Sequence, residues 1–170
     1  MDIKNYIRDI QDFPKAGIVF KDISPILKSP EAFNETINIF EKRYKDQAIS
    51  YIAGIEARGF IFGAALALRL GLGFIPIRKP GKLPYKTISQ TYELEYGTDT
   101  VEMHVDAINE GDNVLIIDDL LATGGTAEAC AKLIKKAGGK VHECAFVIEL
   151  AFLKGKEKLK DDNVYSIMSY

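Results

Sequence analysis

The stretch VLIIDDLLATGGT, residues 114–126, runs four apolar residues into two adjacent aspartates and leaves through a threonine and two glycines. The continuous run Val114, Leu115, Ile116, Ile117 fits a strand buried on both faces, as in a parallel sheet. The segment TAEACAKLIKKAGG, beginning at Thr126, has helical spacing and stops at Gly138 and Gly139. Asp118 and Asp119 therefore fall where a strand ends and a loop to a helix begins. In open α/β sheets that is the edge where ligands bind. Two carboxylates side by side repel unless a cation, hydroxyl donors or backbone amides compensate them.

The residues after the aspartates suggest what compensates them. Ala122, Thr123, Gly124, Gly125 and Thr126 are small or hydroxylic and lead into the helix, so their N–H and hydroxyl groups can surround a phosphate at its N-terminus. Acids for ribose hydroxyls beside amides for a phosphate describe a ribose 5-phosphate site. A helix cap at Asp119 with a glycine turn behind it would leave the second acid and the second glycine without a role. The chain has no Gly-Lys-Ser/Thr after this turn, and the spacing GxGxxG is absent, so neither a Walker A loop nor a dinucleotide fingerprint is present.

On either side of this stretch, the chain alternates strand-like and helix-like segments. Residues 51–55 and 73–77 read as short apolar strands, with the largely apolar FIFGAALALRL helix between them. Ser29, Pro30 and Glu31 form a cap, a first-turn proline and an acid at the positive end of a helix over about 30–45. Ile3, Tyr6, Ile7 and Ile10 predict a short amphipathic helix over 3–11. From Arg78 to about Gly97 the chain is polar and rich in Gly, Pro, Lys and Tyr, the composition of an active-site lid or a hairpin excursion that returns through TVEMHVDAI. KVHECAFVIEL and NVYSIMSY complete the strands. The fold class is α/β: an open, mostly parallel twisted sheet flanked by helices.

Bulk composition narrows the function. A 170-residue chain makes one domain, 1–170, that buries roughly 70% of the surface its unfolded form exposes. Its net charge of -2 excludes a broad basic face for nucleic acid. No apolar run approaches the ~20 residues of a spanning helix, and the N-terminus lacks a signal-peptide core, so no membrane partner and a cytoplasmic location are expected. Cys130 and Cys144 have no metal-ligand spacing and read as buried thiols.

The 114–126 segment resembles the phosphoribosyl pyrophosphate (PRPP) motif of the type I phosphoribosyltransferases, acids included. The resemblance implies that Asp118 and Asp119 hold the ribose 2′- and 3′-hydroxyls while Ala122 to Thr126 cradle the 5′-phosphate. Further segments resemble the adenine-using branch of that family. GIEARGF is similar to its pyrophosphate loop, which places Glu56, Ala57 and above all Arg58 at the pyrophosphate; some relatives have Asp-Ser where this chain has Glu56-Ala57. RKPGKLPYKTISQTYELEYG looks like its mobile loop, so residues 78–104 become a flexible excursion. Arg78, Lys79 and Lys82 then join the pyrophosphate site, with Arg78 reaching a neighbouring subunit in a homodimer. Glu95 matches the family's glutamate that exchanges a proton near N7 of the purine, and Tyr96 closes over the reacting centre. VFKDISP resembles the adenine-recognition segment, in which backbone groups around Val19 and Lys21 meet the base and Phe20 packs on its ring, within a hood formed by residues 1–45.

The implied reaction is adenine and PRPP giving AMP and pyrophosphate, with Arg58 and Glu95 as catalytic residues. Mg²⁺ would be held by substrate oxygens and water rather than by a dedicated metal residue. Two other functions compete with it. A purine-responsive regulator on the same fold needs an N-terminal DNA-binding module of roughly 70 residues, and the residues before Tyr51 are too few. An enzyme for xanthine or hypoxanthine must meet a carbonyl at the 6-position, an acceptor where adenine has a donor.

Overall fold

A computed structural model describes residues 1–170. The chain divides into two units, Met1–Arg43 and Tyr44–Tyr170. In the smaller unit, the expected helix over 3–11 is instead a single 3-10 turn, Ile3–Tyr6, followed by strand β1 (Arg8–Gln11). Asp2 caps the turn by accepting the Lys4 N–H at 3.0 Å. β1 then pairs antiparallel with β2 (Val19–Asp22), placing Ile10 opposite Phe20. Arg8 donates to Asp22 at 2.7 Å, and Lys21 to Asp9 at 2.6 Å. The local spacing of Ile3, Tyr6, Ile7 and Ile10 suited a helix, but those two cross-strand charge pairs require an extended chain and involve partners more than ten residues away. Helix α1 (Ser24–Lys28) precedes α2 (Pro30–Tyr44), whose start matches the predicted cap: the Ser29 hydroxyl accepts the Ala32 N–H at 3.2 Å.

The larger unit holds β3 (Tyr51–Ile55), α3 (Arg58–Leu70), β4 (Gly73–Ile77), β5 (Thr87–Glu93), β6 (Thr98–His104), β7 (Asn113–Leu121), α4 (Gly125–Lys136), β8 (Lys140–Glu149) and β9 (Val164–Ser169). Five of these strands form a parallel sheet in the order β4-β3-β7-β8-β9. The chain steps from β3 outward to β4, then resumes on the other side of β3 at β7 and continues to β8 and β9. Such a reversal opens a crevice between the carboxyl ends of β3 and β7, because the connections leaving them depart in opposite directions.

The continuous apolar runs are explained by burial on both faces. Ala53, Ile55, Val114, Ile116, Cys144 and Phe146 share one core with Cys130, Leu133 and Ile134 of α4. The alternate set, Ile52, Leu115 and Ile117, is equally buried, and α3 packs on β3, β4 and β7. Strand geometry sends neighbouring side chains to opposite faces, so each strand needs apolar residues at every position. Both cysteines are buried free thiols; burial comes first in pushing Cys144 up to about 12.

Two expectations need adjustment. β7 does not stop before the aspartates but continues to Leu121, still paired with β8. Only its pairing with β3 ends at Ile117. The acids thus sit where one neighbour has peeled away, which frees backbone groups on that side only. The 78–104 segment is likewise not a loop throughout: β5 and β6 form an antiparallel hairpin in register from Thr87–His104 to Glu93–Thr98. Val101 and Met103 anchor it in the core beside α4.

Candidate active site

The crevice is tight because a glycine makes it so. A side chain at Gly59, in the first turn of α3, would lie 2.8 Å from the Ile117 carbonyl oxygen and 2.9 Å from Asp118 Oδ1. Only hydrogen there lets α3 approach the end of β7. The approach delivers Arg58, whose Nε donates to Asp119 Oδ2 at 2.5 Å. Asp119 is buried while Arg58 stays half exposed. Asp118 accepts the Asp119 N–H at 2.8 Å. Burial, and after it the Asp119 carboxylate, push Asp118 well above the ordinary carboxylate range; the Asp119 N–H and Arg58 oppose the shift without cancelling it. One acid is thus matched by a guanidinium, and the other is biased toward its protonated form.

Behind the acids, residues 120–127 and Asp118 line a recess of about 100 Å³. Gly124 is left-handed (φ 88°) and caps α4 without a side chain. This conformation turns the chain so that the first N–H groups of α4 border the recess. Sequence reading missed the segment that supports this loop. Gly155, which opens the 3-10 turn Gly155–Leu159, packs backbone to backbone against it. A side chain at Gly124 would meet the Gly155 carbonyl oxygen at 2.5 Å, and one at Gly155 would collide with the Ala122 carbonyl oxygen. No local pattern marks Gly155, because its partner lies more than thirty residues earlier.

The cations predicted for an anionic substrate are gathered on acids. Glu56 accepts the Lys79 N–H at 2.7 Å and Lys82 Nζ at 3.2 Å, with Arg78 Nε 3.4 Å away. Burial works against ionisation of Glu56, but the Lys79 N–H, Lys82 and Arg78 outweigh it and hold the carboxyl below its usual range. Arg78, which the resemblance sends to a neighbouring subunit, is bound here within its own chain and lies 5.7 Å from the Phe60 ring centroid. Lys79 Nζ donates to Tyr92 at 2.9 Å and contacts Asp99. The Tyr92 hydroxyl in turn lies 3.1 Å from Thr126 Oγ1. Neither Tyr92 nor Asp99 was singled out from sequence. The signal available for Tyr92 was period-two placement with Ile88, since both pack toward the core.

The remaining predicted residues lie in other elements. Glu95 and Tyr96 occupy the exposed turn of the hairpin, closed by the Leu94 N–H to the Gly97 carbonyl at 2.9 Å. No hydrogen bond joins either to the aspartates or to the 122–126 loop. Val19, Phe20 and Lys21 lie in β2 of the smaller unit, with Phe20 edge-on to Phe13 at 5.2 Å. No cluster of three or more His, Cys, Asp or Glu could hold a metal ion.

The fold that carries this site is shared with known proteins. Residues 22–169 match the family model described as a phosphoribosyl transferase domain. The chain is 58% identical over 168 residues to the adenine phosphoribosyltransferase of Maridesulfovibrio salexigens, covering 99% of both. The chain belongs to the adenine phosphoribosyltransferase family. Its fold matches the crystal structure of the Thermoanaerobacter pseudethanolicus member with a TM-score of 0.96 at 54% identity, over 99% of this chain and 98% of that one. The Saccharomyces cerevisiae member, crystallised with an imino-altritol bisphosphate and adenine, superposes with a TM-score of 0.93 at 43% identity, over 98% of this chain and 96% of the other.

Two outcomes test this geometry. Asp118→Asn keeps the acceptor for the Asp119 N–H but removes a carboxyl whose ionisation burial disfavours, so the variant should melt at a higher temperature than the parent. An acid with a raised native pKa loses stability as pH rises from its unfolded value through the native one. The advantage should therefore grow as pH rises above the unfolded value of about 4 and vanish near about pH 3, where both states keep the proton. Gly155→Ala should cost about 1–3 kcal/mol in urea unfolding, as an overpacked contact does.

Proposed function

We propose that this protein transfers the 5-phosphoribosyl group of PRPP to adenine, forming AMP and releasing pyrophosphate. The observation that carries it is the assembly of Asp118, Asp119, Arg58 and the 122–126 loop at the strand reversal, in a chain 58% identical to an enzyme named for that reaction. The ribose C1–O bond to pyrophosphate breaks, the C1–N9 bond of adenine forms with inversion, and the N9 proton is lost. The barrier is charge separation: negative on the leaving group, positive on the sugar carbon.

Each residue has a part in that separation. Asp118 and Asp119 accept the ribose hydroxyls, and the Arg58-paired Asp119 carboxylate places negative charge near the carbon. Ala122, Thr123, Gly124, Gly125 and Thr126 take the 5′-phosphate at the α4 N-terminus. Arg58, whose fork matches paired phosphate oxygens, receives pyrophosphate together with Glu56, Ala57, Arg78, Lys79 and Lys82. Glu56 serves there by holding the cations in place before substrate arrives. Backbone N–H and C=O groups at Val19 and Lys21 meet the base, while Phe20 packs on it. Glu95 exchanges the proton near N7, and Tyr96 closes over the centre when the hairpin tip moves in and excludes water.

Mg²⁺ would be held by PRPP oxygens and water rather than by protein side chains. The site's side chains fit that arrangement, being mostly cations for the substrate's oxygens rather than a metal cage, and when bound the ion neutralises pyrophosphate charge. A homodimer is supported by the exposed Ile61 and Leu68 on α3, three and ten residues beyond Arg58. A cytoplasmic location agrees with two free thiols and a triphosphorylated sugar that does not cross membranes; no helix is long and apolar enough to cross a membrane.

Incubation with PRPP, Mg²⁺ and adenine should yield AMP, and hypoxanthine or xanthine should yield nothing. Chelating Mg²⁺ should stop the reaction, and sedimentation should give twice the mass of 18.9 kDa. Turnover of xanthine without turnover of adenine would overturn the base assignment. The double variant Asp118→Asn, Asp119→Asn should abolish AMP synthesis while retaining the fold by circular dichroism.

A further inference from the structure

Tyr92 joins the two anion subsites of the proposed reaction through one hydroxyl. Lys79 Nζ lies 2.9 Å from it, and Thr126 Oγ1 3.1 Å. An ammonium has donors only, so the Tyr92 oxygen must accept from Lys79. Its single proton then has two candidate acceptors, Thr126 Oγ1 at 3.1 Å and Asp99 Oδ2 at 3.4 Å. Asp99 also accepts from Lys79, and its other oxygen accepts the Thr100 N–H at 2.8 Å. Either hydroxyl can donate across the 3.1 Å contact; when a phosphate takes the Thr126 proton, the Tyr92 hydroxyl is the donor left for Thr126 Oγ1. With a phosphate bound, donation would run from Lys79 to Tyr92 to Thr126 to the anion, each bond polarising the next.

We infer that Tyr92 is a positioning residue that sets the Thr126 hydroxyl to donate to the 5′-phosphate. The inference rests on the reading of residues 122–126 as the phosphate cradle. It extends that reading to a strand, β5, that no local motif ties to a phosphate. The Tyr92 ring also holds Lys79 5.5 Å from its centroid and stands against Gly125, where an added side chain would meet Cδ2 at 3.5 Å. Phenylalanine would preserve those contacts and remove only the hydroxyl.

The test measures binding of ribose 5-phosphate, which carries the phosphate and cannot react, by titration calorimetry on four proteins: parent, Tyr92→Phe, Thr126→Val and the double variant. Loss of a hydrogen bond to a charged group should weaken binding by about tenfold in Tyr92→Phe. The double variant should bind no more weakly than Thr126→Val alone, because the hydroxyl acts through Thr126. In steady-state assays the KM for PRPP should rise while that for adenine stays unchanged, a split that general loosening would not produce. Parent-like affinity in Tyr92→Phe alongside weakened Thr126→Val overturns the role of Tyr92 alone. Parent-like affinity in Thr126→Val overturns the phosphate cradle itself. Additive losses in the double variant also reject the relay, since they place Tyr92 on an independent path. A melting curve for each variant shows whether it is folded, and Tyr92→His, which restores a ring donor, should recover part of the affinity if the first variant is unstable.

Discussion

The site depends on the parting of β3 from β7 beyond Ile117. Up to that residue the two central strands satisfy one another's backbone groups, and beyond it β7 is paired on the β8 side alone. The gap is filled by the first turn of α3, which fits only because Gly59 has no side chain to strike Asp118 or the Ile117 carbonyl. Arg58 is carried in with that turn and reaches Asp119. Strand order, one glycine and one ion pair therefore bring together residues some sixty positions apart.

The electrostatics derive from this closeness. Two adjacent carboxylates at a buried strand would repel, yet they coexist because they are not in the same state. Arg58 pairs with Asp119, while burial and the neighbouring charge bias Asp118 toward keeping its proton. On the other side of the crevice the cations are also held in advance: Arg78 and Lys82 on Glu56, and the Lys79 ammonium on Asp99 and Tyr92. Preassembled charge of this kind costs little reorganisation when an anionic substrate arrives, which is how electrostatic preorganisation works. The same arrangement explains why Arg78 is engaged inside its own chain.

Much of this was legible in the chain. The apolar runs of β3, β4 and β7 and the cap of α2 at Ser29 appear where local pattern placed them, because continuous burial and capping chemistry are written in neighbouring residues. Segments whose conformation depends on distant partners were misread or left blank. Residues 8–11 became a strand because Asp22 and Lys21 stand opposite them. For residues 87–104, where the sequence allowed a lid or a hairpin, the hairpin forms because Val101 and Met103 have a place in the core beside α4. Gly155 was invisible because its only peculiarity is what a side chain there would strike.

By itself the sequence determined the α/β class, the acids with a glycine-rich turn behind them, and the family whose motif they match, since each is read from patterns among neighbouring residues. Tertiary structure alone decided that β7 runs past the aspartates, that Arg58 pairs with Asp119, and that Tyr92 stands between Lys79 and Thr126. The physical reason is range. Propensity and spacing act along the chain over a few residues, whereas ion pairs, steric limits at a glycine and hydrogen-bond order act across space, between groups that only the completed sheet brings within about 3 Å.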